Sequence, residues 1–378
     1  IRILGGATLA GMGFPPERLD LTLATTALTG VLANERADLV LAVQAGTPIQ
    51  SITALLAGQG QFVPFDAPLP QYATLGGTLA AGWLGPRRHL YGRIRDYLLG
   101  STIVLADGTI ARAGGMVVKN VAGYDMSRLY VGSFGTLGVL TRANLKSIPS
   151  PQYARLFLAS LPEHTRERAC AQLAGLHIAP AAAFCIDGFH HAIDGDEGLE
   201  GRILALLEGS EAQLERATLE LRSALGRAGV PETRIVEAGA REAFQRIVDA
   251  YVACLGERSV TYRLNSVAQE TDRCALSLQH LARRFELCSE TIADVMNRDV
   301  VLRVSDFDPH AFGAKIESFD EALHEVQPRA QVIASEHPRR PYLRVWGAPP
   351  AAVDRMRALK QRFDPNRTLN PGCFVDGI

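Results

Sequence analysis

Apolar and polar positions alternate in short bursts over the first 150 residues, and afterwards recur with the wider spacing of helices. Residues 1–4 (IRIL) predict a buried strand running into Gly5 and Gly6, and residues 38–43 (DLVLAV), 101–105 (STIVL) and 139–145 (VLTRANL) predict further strands. Between them Ile49, Ile52, Leu55 and Leu56 share one side of a helix predicted over 47–58. Asp107–Gly108 is the dipeptide of a tight hairpin, here between 102–106 and 109–113.

Pro149 and Pro151 punctuate a change of texture, after which glycine thins out and helical periodicity lengthens. Residues 211–225 place Leu214, Ala217, Leu221 and Leu225 on one face, and a strand-like run, 202–207, precedes them. Other predicted strands are 154–159, 182–186, 259–264, 300–304 and 342–346, so the second half predicts a sheet covered by helices. A last helix carries Val353, Met356, Leu359, Lys360 and Phe363, and ends in the Asp-Pro and Asn-Pro turns of 364–372, a docked tail. The fold class is α+β with two domains: 1–150, 151–346, and a helix and tail, 347–378, returning to the first. There is no internal repeat or low-complexity tract.

Composition narrows the classes. A chain of 378 residues exceeds what one core usually serves, which supports two domains. With 39 basic and 40 acidic side chains the formal charge is -1, which argues against a nucleic-acid partner. No apolar run reaches the roughly 18–20 residues of a membrane helix, and none is flanked like a signal peptide, so a cytoplasmic protein is expected. The chain opens on Ile1 in mid-strand, and part of the first domain is expected upstream. Six cysteines without a CxxC argue for reduced thiols and no metal centre.

Candidate chemistry lies in the glycines. Segments 73–86 (ATLGGTLAAGWLGP) and 114–141 (GGMVVKNVAGYDMSRLYVGSFGTLGVLT) hold an outsized share of the 35 glycines, and such turns let backbone N–H groups approach a phosphate. Gly5, Gly6, Ala7 and Thr8 directly follow a strand and could do the same, although G-x-G-x-x-G is not matched and an ordinary turn would also explain them. Arg87, Arg88, Arg93 and Arg95 follow the first segment and suit either a diphosphate or a solvated basic face. In the second segment Lys119 could neutralise a phosphate or a flavin N1–O2 anion, and Gly132, Gly135 and Gly138 admit close backbone approach to a ring. A nucleotide cofactor is the expectation.

The order of these motifs, ILGGATLAG, ATLGGTLAAGWLG, YGRIRDYLLGSTIVLADGTIARAGG, YVGSFGTLGVLT and a closing DPNRTLNPG, resembles the FAD-binding fold of the vanillyl-alcohol oxidase and p-cresol methylhydroxylase superfamily. Within it, GPRRHLYGRIRD and GGMVVKNVAGYDMSRLYVGSFGTLG are most similar to the FAD-binding E subunits of bacterial glycolate oxidase, also called glycolate dehydrogenase. The resemblance is close over 1–150 and the last dozen residues. It implies that Gly5, Gly6, Ala7, Thr8 and Leu9, with Thr74, Leu75, Gly76 and Gly77, hold a pyrophosphate. Pro68, Gly82, Gly85, Lys119, Gly132, Gly135, Gly138 and Val139 would border the flavin and adenosine, and Asn370 would return from the tail to the ring. Phe134 stands where many relatives carry Glu, which removes a polar contact. Some relatives tether FAD through His or Cys in the early loops; here the first of each are His89 and Cys170, so non-covalent FAD is expected.

The implied partners are a catalytic flavoprotein sister subunit and an iron–sulfur subunit, with glycolate or a similar 2-hydroxy acid as substrate and peripheral attachment to the inner membrane through those subunits. The substrate side is quiet. Ser335–Glu336–His337 echoes an E-H-G motif but has Pro338 for glycine and reads as a surface pair; Arg263, Arg303 and Arg344 lie on predicted strands, and His190, His191 and His310 are isolated. No catalytic residue is assigned. Rival expectations are a self-sufficient FAD-dependent dehydrogenase of another 2-hydroxy acid, a structural subunit with a decayed flavin site, and an enolpyruvyl-sugar reductase, which the DPNRTLNPG tail disfavours.

Overall fold

The computed structural model describes residues 1–16, 19–117, 124–189, 201–230, 233–267 and 270–378. The chain divides into two compact units, one of Ile1–Gly85, Gly92–Ser150 and Ala348–Ile378, the other of Pro86–Tyr91 and Pro151–Gly347.

In the first unit β1 (Arg2–Leu4) and β2 (Thr22–Ala24) pair in parallel. Five strands, β3 (Val31–Glu35), β4 (Val40–Gln44), β6 (Leu98–Val104), β7 (Ile110–Gly114) and β8 (Val139–Lys146), form an antiparallel sheet in the order β3-β4-β8-β6-β7. A short pair, β5 (Gln61–Phe62) and β9 (Ile148–Pro149), lies apart. Three helices pack with these strands: α1 (Ile49–Ala57), α2 (Leu75–Ala81) and α4 (Met126–Tyr130), while α3 (Arg88–Tyr91) belongs to the second unit. The apolar side of α1 buries Ile49, Ile52 and Leu56 among Leu41, Val43, Leu79 and Leu145. Thr74 starts α2 by accepting a hydrogen bond from the Gly77 N–H at 3.3 Å, and Gly82, left-handed at φ 62°, ends it.

The second unit is built on one eight-stranded antiparallel sheet. Its strands are β10 (Tyr153–Leu161), β11 (Ala182–Asp187), β12 (Gly201–Gly209), β13 (Thr233–Val236), β14 (Ser259–Asn265), β15 (Cys288–Asp294), β16 (Asp299–Ser305) and β17 (Gln331–Ser335), in the order β13-β10-β12-β11-β15-β16-β14-β17. Four long helices carry apolar stripes: α6 (Glu211–Ala228), α7 (Ala240–Ala250), α8 (Thr271–Arg284) and α9 (Pro309–Val326), with the shorter α5 (Arg166–Ala174) beside α6. On α9 Phe312, Ile316, Phe319 and Leu323 are fully buried at helical spacing. The strand expected over 342–346 does not form. Pro341 sits in the 3-10 turn Arg340–Tyr342, and Gly347 at φ 63° turns the chain again. The last helix, α10 (Val353–Phe363), returns to the first unit.

Candidate functional site: a donor-lined cleft in the first unit

A cleft of about 960 Å³, part of it open to solvent, runs through the first unit. Of the residues singled out by sequence, Gly5, Gly6, Ala7, Thr8, Leu9, Thr74, Gly76, Gly77, Gly135, Gly138 and Asn370 line it. Four segments far apart in sequence therefore meet on one concavity.

The two glycine loops make different contributions. Among the described residues, the backbone N–H groups of Gly5, Gly6, Ala7, Thr8 and Leu9 meet no acceptor. Ala7 is left-handed at φ 58°, and a left-handed residue among right-handed neighbours is the backbone pattern of anion-binding concavities. The second loop is already satisfied: Leu75 N–H donates to Thr47 O at 3.0 Å, Gly76 N–H to Ala45 O at 2.7 Å, and Gly77 N–H to Thr74. It is a wall, and the first loop is the set of free donors. The wall stands close. A Cβ at Gly6 would lie 1.6 Å from the Tyr72 carbonyl oxygen, so no larger residue fits.

Asn370 closes the far side. Its Nδ2 donates to the Phe134 carbonyl at 2.6 Å, its Oδ1 accepts from the Ile3 N–H at 2.7 Å, and its own N–H donates to Ile1 O at 2.8 Å. Phe134, at φ 54°, stacks on Phe374 with centroids 5.6 Å apart. Ala7, Phe134 and Asn370 are non-glycine residues at positive φ around one cleft, a strain that clusters at functional sites. The tail is locked underneath by Lys360, whose Nζ donates to Thr136 O at 2.8 Å, Leu369 O at 2.8 Å and Asp364 Oδ2 at 2.6 Å.

The remaining nominated positions sit elsewhere. Leu75 and Val139 are buried, as is Pro68. Gly82 and Gly132 face each other backbone to backbone, and Gly85 rests on the Asp66 side chain. Lys119, His190 and His191 lie outside the described residues. Arg87 pairs with Glu208 and Arg88 with Asp299, all within the second unit. Arg263 also pairs with Asp299, and Arg303 with Glu290 beneath the Phe189 ring, so both spend their charge on structure. His337 is buried rather than at the surface. Its ring meets Phe312 edge-on, its Nδ1 accepts from the Arg339 N–H at 3.0 Å, and burial pushes its pKa down, which keeps it neutral. Sequence reasoning missed Cys373 and Phe14 at the cleft, because neither belongs to a glycine motif and only the docked tail brings Cys373 there.

The chemistry of the lining fits a phosphate ester with a flat ring. Free amides and the Thr8 hydroxyl suit a pyrophosphate, while Phe134, Leu140 and Ala80 suit an apolar ring system. A family model described as a FAD binding domain matches residues 1–125. The matched stretch marks this as a chain that binds FAD. The chain is 37% identical over 195 residues to the glycolate oxidase subunit GlcE of Escherichia coli (strain K12), which covers 50% of this chain and 55% of that one. It is 28% identical over 397 residues to the glycolate oxidase subunit GlcD of Bacillus subtilis (strain 168), covering 97% and 82%, and 26% identical over 405 residues to a D-lactate dehydrogenase of Anaerostipes hadrus, covering 98% and 82%. Among solved structures it superposes on a 4-ethylphenol oxidase from Gulosibacter chungangensis in an isoeugenol complex, with TM-score 0.70 and 14% identity over 99% of this chain and 84% of that one. The FAD-binding domain thus sits in the α+β fold of the p-cresol methylhydroxylase type, its cofactor is FAD, and its kin place the chain among FAD-binding oxidoreductases. No helix among the described residues is long and apolar enough to cross a membrane.

Proposed function

We propose that this chain is the FAD-binding subunit of a glycolate dehydrogenase, working beside a catalytic flavoprotein sister subunit that oxidises glycolate to glyoxylate and an iron–sulfur subunit that takes the electrons. The observation that carries the reading is the contrast in the cleft. It offers five free amides for a pyrophosphate, yet its described lining holds no His, Asp, Glu, Lys or Tyr. Taking hydride from the α-carbon of a 2-hydroxy acid also requires a group to receive the hydroxyl proton. FAD, when bound, would supply an electron relay; the residues of this cleft hold, orient and shield it. Apart from the Cys373 thiol, proton transfer falls to groups outside the described lining, which suits a subunit that completes a complex.

A second reading, a self-sufficient 2-hydroxy-acid dehydrogenase, is favoured by the matches that run along 97% and 98% of the chain to relatives named as a GlcD subunit and a D-lactate dehydrogenase. One experiment separates the two. The purified chain is given glycolate or D-lactate anaerobically and its flavin band at about 450 nm is followed. A band that stays oxidised until the sister subunits are added supports the subunit reading. Bleaching by the chain alone, with turnover on an artificial acceptor, establishes the second.

A further inference from the structure

Two buried cysteines of the second unit are in contact. Cys170 on α5 and Cys185 in the middle of β11 are 8% and 0% exposed, and their sulfurs are 3.0 Å apart. The contact is held by a rigid frame. One turn earlier on α5, Arg166 forks between two carboxylates. Its Nη1 and Nη2 donate to Asp187 at 2.8 and 2.7 Å, while its Nε and Nη2 donate to Asp272 on α8 at 3.0 and 2.6 Å. Asp187 lies two residues beyond Cys185 and so on the same side of the strand. The helix is therefore pinned to β11 twice, by an ion pair and by a sulfur pair, and neither sulfur can drift away while the fork holds.

We propose that Cys170 and Cys185 form a redox pair that closes to a disulfide, with a low-molecular-weight disulfide of the glutathione type as oxidant. One protein thiolate attacks the small disulfide, forming a mixed disulfide and releasing one small thiolate. The second attacks the protein-bound sulfur and releases the other. Two protein thiols are oxidised, one small disulfide is reduced to two thiols, and the two protons lost by the protein thiols end, through solvent, on the two small thiolates released. The neighbouring Cys170 sulfur, and burial after it, hold the Cys185 thiol well above its ordinary range, so exchange proceeds while α5 is still undocked, as the chain folds. Once closed, the bond ties α5 to β11 and is shielded from reductant.

A metal explains the cluster less well, although Asp272 brings a third ligand-type oxygen within 4.8 Å. Both Asp272 oxygens already accept from Arg166, whose charge opposes a cation. The sulfurs are also closer than the about 3.8 Å that two thiolates adopt on tetrahedral zinc.

The test is to refold the full chain in glutathione buffers from reducing to oxidising, alkylate, and map the peptides. Two of the six cysteines should become unreactive to alkylation, Cys170 and Cys185 should appear in one reducible cross-linked peptide, and Tm should rise by about 5 °C or more over the reduced chain. Alkylation is done in denaturant, since both thiols are buried in the folded chain, and refolding with zinc alone should then leave both open to it. The proposal is overturned if all six thiols stay free at every ratio, if the cross-link joins other cysteines, or if zinc binds at one equivalent and blocks alkylation of this pair. Mapping the native sequence needs no substitution, so a variant that fails to fold leaves the answer intact.

Discussion

Asn370 and Phe134, 236 residues apart, are joined at 2.6 Å by a side-chain amide donating to a backbone carbonyl, and through this bond the tail holds a strained turn of the FAD cleft in place. The other end of the same amide takes the N–H of Ile3. Asn370→Ala leaves a donor and an acceptor without partners, which costs about 2–4 kcal/mol for the two. Asn370→Asp keeps the bond from Ile3 but puts an acceptor against the Phe134 carbonyl. Both variants should lower Tm and bind FAD more weakly, measured by thermal melts and flavin titration. Wild-type affinity in Asn370→Ala would show that the clamp does not shape the cleft.

Lys360 and Asp364 form a buried pair one helical turn apart, 5% and 0% exposed. Removing one partner strands the other charge, so Asp364→Ala should destabilise by about 3–5 kcal/mol, more than the joint replacement by apolar residues. Burial lowers the Lys360 pKa. It would raise that of Asp364, but the Lys360 ammonium and the N–H groups of Leu369 and Thr368 outweigh it and hold the carboxyl below its ordinary range. The Asp364 contribution is thus present above the unfolded carboxylate value and is lost as pH falls through the folded one. Acid should release FAD from the wild type in that window, followed by fluorescence, while a tail that stays docked until global unfolding contradicts this.

Asp294 titrates in the opposite sense. Burial pushes its carboxyl up to about 7, against the pull of Arg88 and Asn297. Its folded value lies above the unfolded value of about 3.9, so its contribution is complete at low pH and lost as pH rises through about 7. Asp294→Asn, which can still accept from the Asn297 N–H, should flatten the fall in Tm between acid and neutral pH. Equal slopes in variant and wild type would remove Asp294 from the account.

Glycines divide into those the cleft requires and those it does not. Gly226, exposed on α6 with nothing within 4 Å of its missing Cβ, should accept alanine and gain about 0.5–1 kcal/mol. Gly6 should not. Equal Tm shifts for the two alanine variants would contradict the packing described around Tyr72.

Much of this was legible from residue pattern because the strands of the second sheet are near-continuous apolar runs. The expected strands at 154–159, 182–186, 202–207, 259–264 and 300–304 all lie inside β10, β11, β12, β14 and β16. α1 was legible from Ile49, Ile52 and Leu56. β15 was passed over because Ser289 and Glu290 interrupt its apolar run, β17 because its apolar run is only Val332, Ile333 and Ala334, and 342–346 read as a strand because alternation alone does not register the turns at Pro341 and Gly347. At the site, composition marked where a backbone approaches a ligand. It did not distinguish the free amides of Gly5–Leu9 from the satisfied ones of Leu75–Gly77, a difference set by acceptors at Ala45 and Thr47 that only folding brings near.

FAD should be held without a covalent bond. Acid precipitation of the loaded chain should leave the flavin in the supernatant; a yellow pellet would point to Cys373, the one cysteine of the described lining.

The most direct test of the central claim is calorimetric titration of FAD into the wild-type chain and into Gly6→Ala, with circular dichroism of both. The donor-loop account predicts one FAD per wild-type chain, and no measurable binding to the variant while the helices of the second unit persist. Unchanged stoichiometry and affinity in Gly6→Ala would contradict it.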